Sequence, residues 1–243
     1  MLDEKEHGGN VAVNDNKLFS FGLTRIDRML VEALRYSLEI IMPDIMSDYN
    51  LTDRNGFGQF RWNAIMAQLR EKCNALGWMY YGTCKRGPWK TPVLFHTDSR
   101  YIFTFMTEET FHDVQKRKNK GEHYLCGCAS YNVNVYPTAQ QMEMDIPKVD
   151  NDSQMWIAKS REQLAEAVEH DVGQICGHIL VLFNVKNDTL VSVRAVRLTA
   201  DLAISTEEEN WTKYIRLPYE STETVVPQNT VDDDNDDILV ELK

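Results

Sequence analysis

Apolar residues recur three and four positions apart at Leu23, Ile26, Leu30, Leu34, Leu38 and Ile41, with Arg25, Asp27, Arg28 and Glu32 beside the stripe. The spacing predicts an amphipathic helix, opened by a capping box of Thr24 and Asp27 and ended by Pro43. A loop rich in Asp, Asn and Gly is expected from Asp44 to Gly58. The next stripe, Trp62, Ile65, Leu69, Cys73 and Leu76, predicts a helix over 59–76 that Gly77 stops.

The period then changes to two. The aromatic run Trp78–Cys84 reads as a strand, Lys85-Arg86-Gly87-Pro88 as a turn, and Trp89–His96 as the returning strand, placed at an edge or bulge by Pro92. After a turn at Thr97-Asp98-Ser99, Tyr101–Met106 supplies a third strand, giving an antiparallel meander. Thr107 caps a helix with Glu108 and Glu109 in its first turn. Lys116, Arg117, Lys118 and Lys120 crowd its end before Gly121, the charge order a helix dipole favours. Tyr131–Tyr136 alternates like a strand, and 137–158 reads as a long loop that is either functional or a boundary. Ser160 and Gln163 form a capping box for a helix reaching about Cys176. His178–Val185, the turn Lys186-Asn187-Asp188 and Leu190–Leu198 form the clearest hairpin, and Trp211–Leu217 adds a last element. The expected class is α+β, a mainly antiparallel sheet flanked by about four helices. It forms one domain over 19–220, with 137–158 as its candidate subdomain break, a mobile leader over 1–18 and an acidic tail over 221–243.

Composition narrows the classes. The chain has 243 residues, 43% of them hydrophobic, which excludes wholesale disorder. No apolar run approaches the roughly 20 residues that span a bilayer, and the acidic start Met1-Leu2-Asp3-Glu4-Lys5-Glu6 is neither a signal nor a transit peptide. Five cysteines without a secretory context point to free thiols in a reducing cytoplasm. The net charge of −11 hides an asymmetry: residues 1–53 carry −5, residues 54–125 carry +6, and residues 126–243 carry −12. A basic middle between acidic flanks either meets an anionic partner or is neutralised by the chain's own ends.

Candidate chemistry concentrates in that middle. Trp62, Trp78, Tyr80 and Trp89 interleave with Arg61, Lys85, Arg86 and Lys90. Bases stack on aromatic faces and cations hold phosphates, so the mixture can grip RNA or DNA through 61–90; the same aromatics also suit a core. Arg117 and His123 have five residues between them, a spacing that resembles the catalytic pair of the helical nuclease family called HEPN. In that family imidazole acts as acid or base and Arg holds the phosphate. The resemblance implies a metal-independent ribonuclease as the rival reading, although Gly121 falls between the two residues. His123, Cys126, Cys128, Cys176 and His178 offer zinc donors without paired two-residue spacing, so no metal and no cofactor is expected. Phosphate loops, nucleophile elbows, zinc-protease helices and EF-hands are absent from the sequence.

The acidic run Asp232–Asp237, followed by Ile238-Leu239-Val240, is either a solvated terminus or a segment able to dock on a basic groove, its own or another protein's. The segments Lys85-Arg86-Gly87-Pro88-Trp89-Lys90, Tyr101-Ile102-Phe103-Thr104 and His123-Tyr124 make the chain resemble uncharacterised proteins of Gram-positive bacteria and their prophages. That resemblance implies a setting, phage–host conflict, and no activity. The expectation is a non-catalytic interaction or regulatory protein, with a protein partner before a nucleic acid and no membrane.

Overall fold

The stripe over 23–41 and the stripe over 59–76 need something to cover, and a six-stranded sheet supplies it. In the computed structural model the described residues are 26–50, 56–86, 89–119, 121, 123–132 and 151–215. The leader 1–18 and the tail 221–243 lie outside them. Helix α1 (Ile26–Tyr36) passes through a π-helical turn (Ser37–Ile41) into α2 (Met42–Asp48), and α3 spans Phe57–Leu76. Strands β1 (Met79–Arg86), β2 (Trp89–His96) and β3 (Tyr101–Thr107) form the expected meander. Helices α4 (Glu108–Gln115), α5 (Tyr124–Ala129) and α6 (Asn151–Ala167) follow, then β4 (Gly177–Lys186), β5 (Thr189–Leu198) and β6 (Ile204–Asn210).

The strands lie side by side in sequence order, antiparallel except where β4 runs parallel to β3. Two cores sandwich the sheet. Leu30, Leu34, Ile65 and Leu69 pack on Phe103, Phe105, Ile179 and Val181 on one face. Phe111, Leu125, Cys128 and Leu164 pack on Ile102, Met106, Leu180 and Leu182 on the other. Alternate residues of β3 and β4 therefore enter opposite cores, which explains why both strands read as unbroken apolar runs. The β4–β5 hairpin turns at Asn187 and Asp188, whose φ values of 50° and 64° suit a primed two-residue turn. No helix among the described residues is long and apolar enough to cross a membrane.

Several sequence expectations need correction. Pro43 does not end the first helix. The wider turn over Ser37–Ile41 accommodates a ring that would otherwise press on the carbonyl of Glu39, and the helix runs on to Asp48. Tyr131 and Asn132, the start of the alternating run, follow a short helix (Tyr124–Ala129, with Cys126 and Cys128 buried inside it) and are not in a strand; residues 133–136 of that run lie outside the described set. The helix assigned to Ser160 begins at Asn151, because Asn151, Asp152 and Ser153 already supply residue types that favour a helix start. It ends at Ala167, well short of Cys176, and residues 151–158 are helical rather than loop. Strand β6 has no counterpart in the sequence reading. Its Glu207 and Glu208 look like solvated charge until Arg197 and Arg194 of β5 are seen beside them. The element expected from Trp211 is a single 3-10 turn, Thr212–Tyr214.

Candidate functional site

Pro92 carries no N–H, so one side of β2 is poor at building a ladder. The β2–β3 pairing covers only Val93–His96 against Tyr101–Thr104. Beyond it Trp89–Pro92 still pair with β1, and Phe105–Thr107 with β4, but neither stretch has a ladder partner on the side facing the other. The sheet opens there. The second strand is thus interior in the strand order, yet its first half is an edge, which is where Pro92 sits.

A groove of about 590 Å³ occupies the opening, within the roughly 300–1,000 Å³ usual for ligand clefts. Gln59, Trp62, Asn63 and Met66 of α3 form one wall, Trp89, Lys90 and Thr91 of β2 the second, and Phe105, Met106 and Thr110 close the third. Phe105 belongs to the core under α3 and Met106 to the core on the opposite face, so the groove cuts into the sheet from its edge rather than lying on it. Trp89, 56% exposed, stands at the mouth.

Its one charged lining residue is Lys90, whose Cα partner across the ladder is Lys85. Like charges directly opposite one another destabilise a strand pair. Neither lysine has an acidic partner among the described residues. At the end of an aromatic slot, then, two lysines face each other with no acid from the described residues beside them. Lys85→Glu is expected to raise stability by a few tenths of a kcal/mol, up to about 1, by turning a repulsive pair into an attractive one. Urea midpoints of the two proteins measure this directly, and an unchanged or lower midpoint would remove the repulsion from the argument.

The sequence-nominated residues divide. Trp62, Trp89 and Lys90 meet in the groove, with Lys85 opposite Lys90 and Arg86 opposite Trp89 in register. Arg61 is spent elsewhere: its guanidinium reaches Asp188 at 3.2 Å on the β4–β5 turn and lies over Phe57. Trp78 makes a T-shaped contact with the His96 ring, centroids 5.4 Å apart. Tyr80 is half exposed, against His170, on the α6 side of the sheet. Met66, Phe105, Met106 and Thr110 were missed, and the local signal that points toward them is Pro92.

Arg117 and His123 do not share a helix. Lys116 caps the end of α4, Arg117 follows in an exposed turn, and His123 is the N-cap of α5, its Nδ1 accepting the Leu125 N–H at 3.3 Å. That cap fixes the imidazole in a structural task. The zinc donors scatter too. Cys126 and Cys128 are buried in α5, Cys176 is exposed, and His178 is sealed in β4. Burial, aided by Cys84 and Cys126, pushes the Cys128 thiol well above its ordinary range, the opposite of what a thiolate ligand needs. Among the described residues no three His, Cys, Asp or Glu side chains are grouped to hold a metal ion.

Comparison with known proteins adds lineage without activity. No curated protein and no solved structure matches the chain. A family described as "Family of unknown function (DUF5986)" matches residues 22–243, a span that takes in all six strands and the groove. The chain belongs to that family, DUF5986.

Proposed function

We propose that this protein is a non-catalytic interaction module that captures an extended, acidic and apolar segment of a partner protein in the groove between β2 and β3. One observation carries the reading: two strands diverge over an aromatic-lined slot while Lys85 and Lys90 face each other with no acid among the described residues beside them. Unpaired strand edges accept a peptide main chain, and apolar pockets take its side chains. Carboxylates on the segment relieve the lysine repulsion, so binding removes a cost the free protein carries.

Nucleic acid is the less favoured occupant. A base-stacking platform needs its rings and cations on one surface. Here Trp62 and Trp78 are taken up in T-shaped contacts with Phe183 and His96, Arg61 is engaged by Asp188, and Tyr80 lies on the α6 side of the sheet. The acid–base role proposed for His123 has to compete with its use as a helix cap. The resemblance to prophage proteins keeps phage–host conflict as the proposed setting.

The test is affinity isolation from the native host, comparing the wild-type chain with Trp89→Glu, Lys90→Glu and, as a control on the opposite face, Glu166→Lys. A stoichiometric protein should be retained by wild type and control. Anchor substitutions should weaken it by about 30-fold or more, the scale of a hot-spot residue. Hydrogen exchange on the captured protein should map the contact to an extended acidic and apolar stretch. Nucleic acid that co-purifies and leaves on a salt wash, with no protein lost in the groove variants, would overturn the reading.

A further inference from the structure

We propose that the groove also has a ligand within this chain: the segment Asp236-Asp237-Ile238-Leu239-Val240 binds it in cis. The proposal rests on the reading of the groove as a binding site and names what occupies it when no partner is present. The groove makes two chemical demands. Its walls (Trp62, Met66, Phe105, Met106) ask for apolar side chains, and its lysine end asks for carboxylates.

The sequence answers both in one place. Residues 232–237 hold five aspartates in six positions and run directly into Ile238, Leu239 and Val240; no other stretch of the chain joins so many acids to three consecutive branched apolar residues. Two of the three are β-branched, the type that pairs best with strand edges. The acids stand ahead of the apolar trio, so the charges can meet Lys85 and Lys90 while Ile238–Val240 enter the slot. The five aspartates carry the charge opposite to that of the hairpin end, where Lys85, Arg86 and Lys90 follow within six positions.

Reach permits the contact. Ile215, the last described residue, packs on the core beneath α1 and α3, on the same face of the sheet from which α3 walls the groove. Twenty-one positions separate Ile215 from Asp236. A chain that long spans roughly 70 Å fully extended, against a radius of gyration of roughly 16 Å for a domain of this size. Tethering converts the contact into an intramolecular one at an effective concentration on the order of millimolar. A partner must then displace the segment, so its observed affinity falls by the fraction of grooves the tail occupies.

Residue-resolved amide exchange on the full chain tests this. The edge amides of Trp89–Thr91 and Phe105–Thr107 should exchange about tenfold or more faster in Leu239→Asp, a change equivalent to one decade in the occupancy equilibrium. Lys85→Glu/Lys90→Glu should do the same, and adding Asp236→Lys/Asp237→Lys should restore protection. Unchanged exchange in Leu239→Asp would overturn the proposal. So would protection that grows with protein concentration, since a second copy would then supply the segment. The two readings separate cleanly. If the tail variants change nothing while Trp89→Glu still loses its protein partner, the cis contact fails and the interaction module stands. If tail protection is seen but groove variants keep the partner, the module's binding surface lies elsewhere and the cis contact stands.

Discussion

Gly82→Ala is expected to destabilise the fold by about 3 kcal/mol, the upper end of the range for overpacking a buried site. A β-carbon at Gly82 would overlap the backbone carbonyl of Ala167 and stand 3.1 Å from the nitrogen of Val168. Both obstacles are main chain, so no side chain can rotate out of the way. The backbone at Gly82 needs no left-handed conformation, which leaves the close approach of α6 to β1 as the whole reason for glycine. Displacing α6 would loosen Leu164 and Val168 from the second core. For a domain of this size the midpoint temperature should fall by roughly 6–12 °C. Gly58→Ala, whose added carbon meets nothing within 4 Å beyond its chain neighbours and its own helix backbone, is the control, and it should be neutral or slightly stabilising because alanine favours a helix. Thermal and urea unfolding of the three proteins decide the matter. A Gly82→Ala midpoint equal to wild type would mean that α6 does not pack on β1 as described.

The second large effect is an acid sensitivity centred on one histidine. His178 is fully buried between the sheet and α5, with Nε2 2.8 Å from the Thr104 hydroxyl and, among the described residues, no hydrogen-bond partner for Nδ1. Its backbone N–H donates to Asn132 Oδ1, whose amide in turn donates to the Leu198 carbonyl. Burial, assisted by the Arg197 charge, pushes its pKa down to about 3 from the ordinary 6.5. Above pH 6.5 the ring is neutral in both the folded and the unfolded chain, and its contribution is fully present. As pH falls from 6.5 toward 3 the unfolded chain takes up a proton that the fold refuses. Stability is therefore lost at up to about 1.4 kcal/mol per pH unit, reaching about 4 kcal/mol near pH 3. His96, lowered by burial and partly restored by Asp98, acts in the same direction. Urea unfolding of wild type and His178→Gln between pH 4 and 7 isolates the larger effect, since carboxylate contributions cancel in the difference. The variant should lose about one proton's worth of slope. Equal slopes in the two proteins would show that His178 is reached by protons in the native state.

Local chemistry made some elements readable and left others hidden. The stripe from Ile26 to Leu38 and the stripe from Trp62 to Cys73 are legible because a helix repeats every 3.6 residues whatever it packs on. The Asn187-Asp188 turn is legible because few residues accept two successive positive φ values. Strand β6 is not, because Glu207 and Glu208 lower its strand preference until Arg197 and Arg194 meet them at 2.5 and 3.0 Å. The groove was half legible. Trp62, Trp89 and Lys90 belong to the nominated set, while Arg61 and Trp78, chosen on identical grounds, turn out to hold the fold together.

The helical stripes, the meander, the main hairpin and the separation of a basic middle from acidic flanks are all readable along the chain, because neighbours within a few positions set them. Folding alone reveals that β2 and β3 part company at Pro92, that Lys85 and Lys90 face each other with no acid among the described residues, and that Gly82 lies against the end of α6. Those features depend on strand register and on contacts between residues dozens of positions apart. A one-residue change of register would turn each side chain to the opposite face, so no local pattern can specify them.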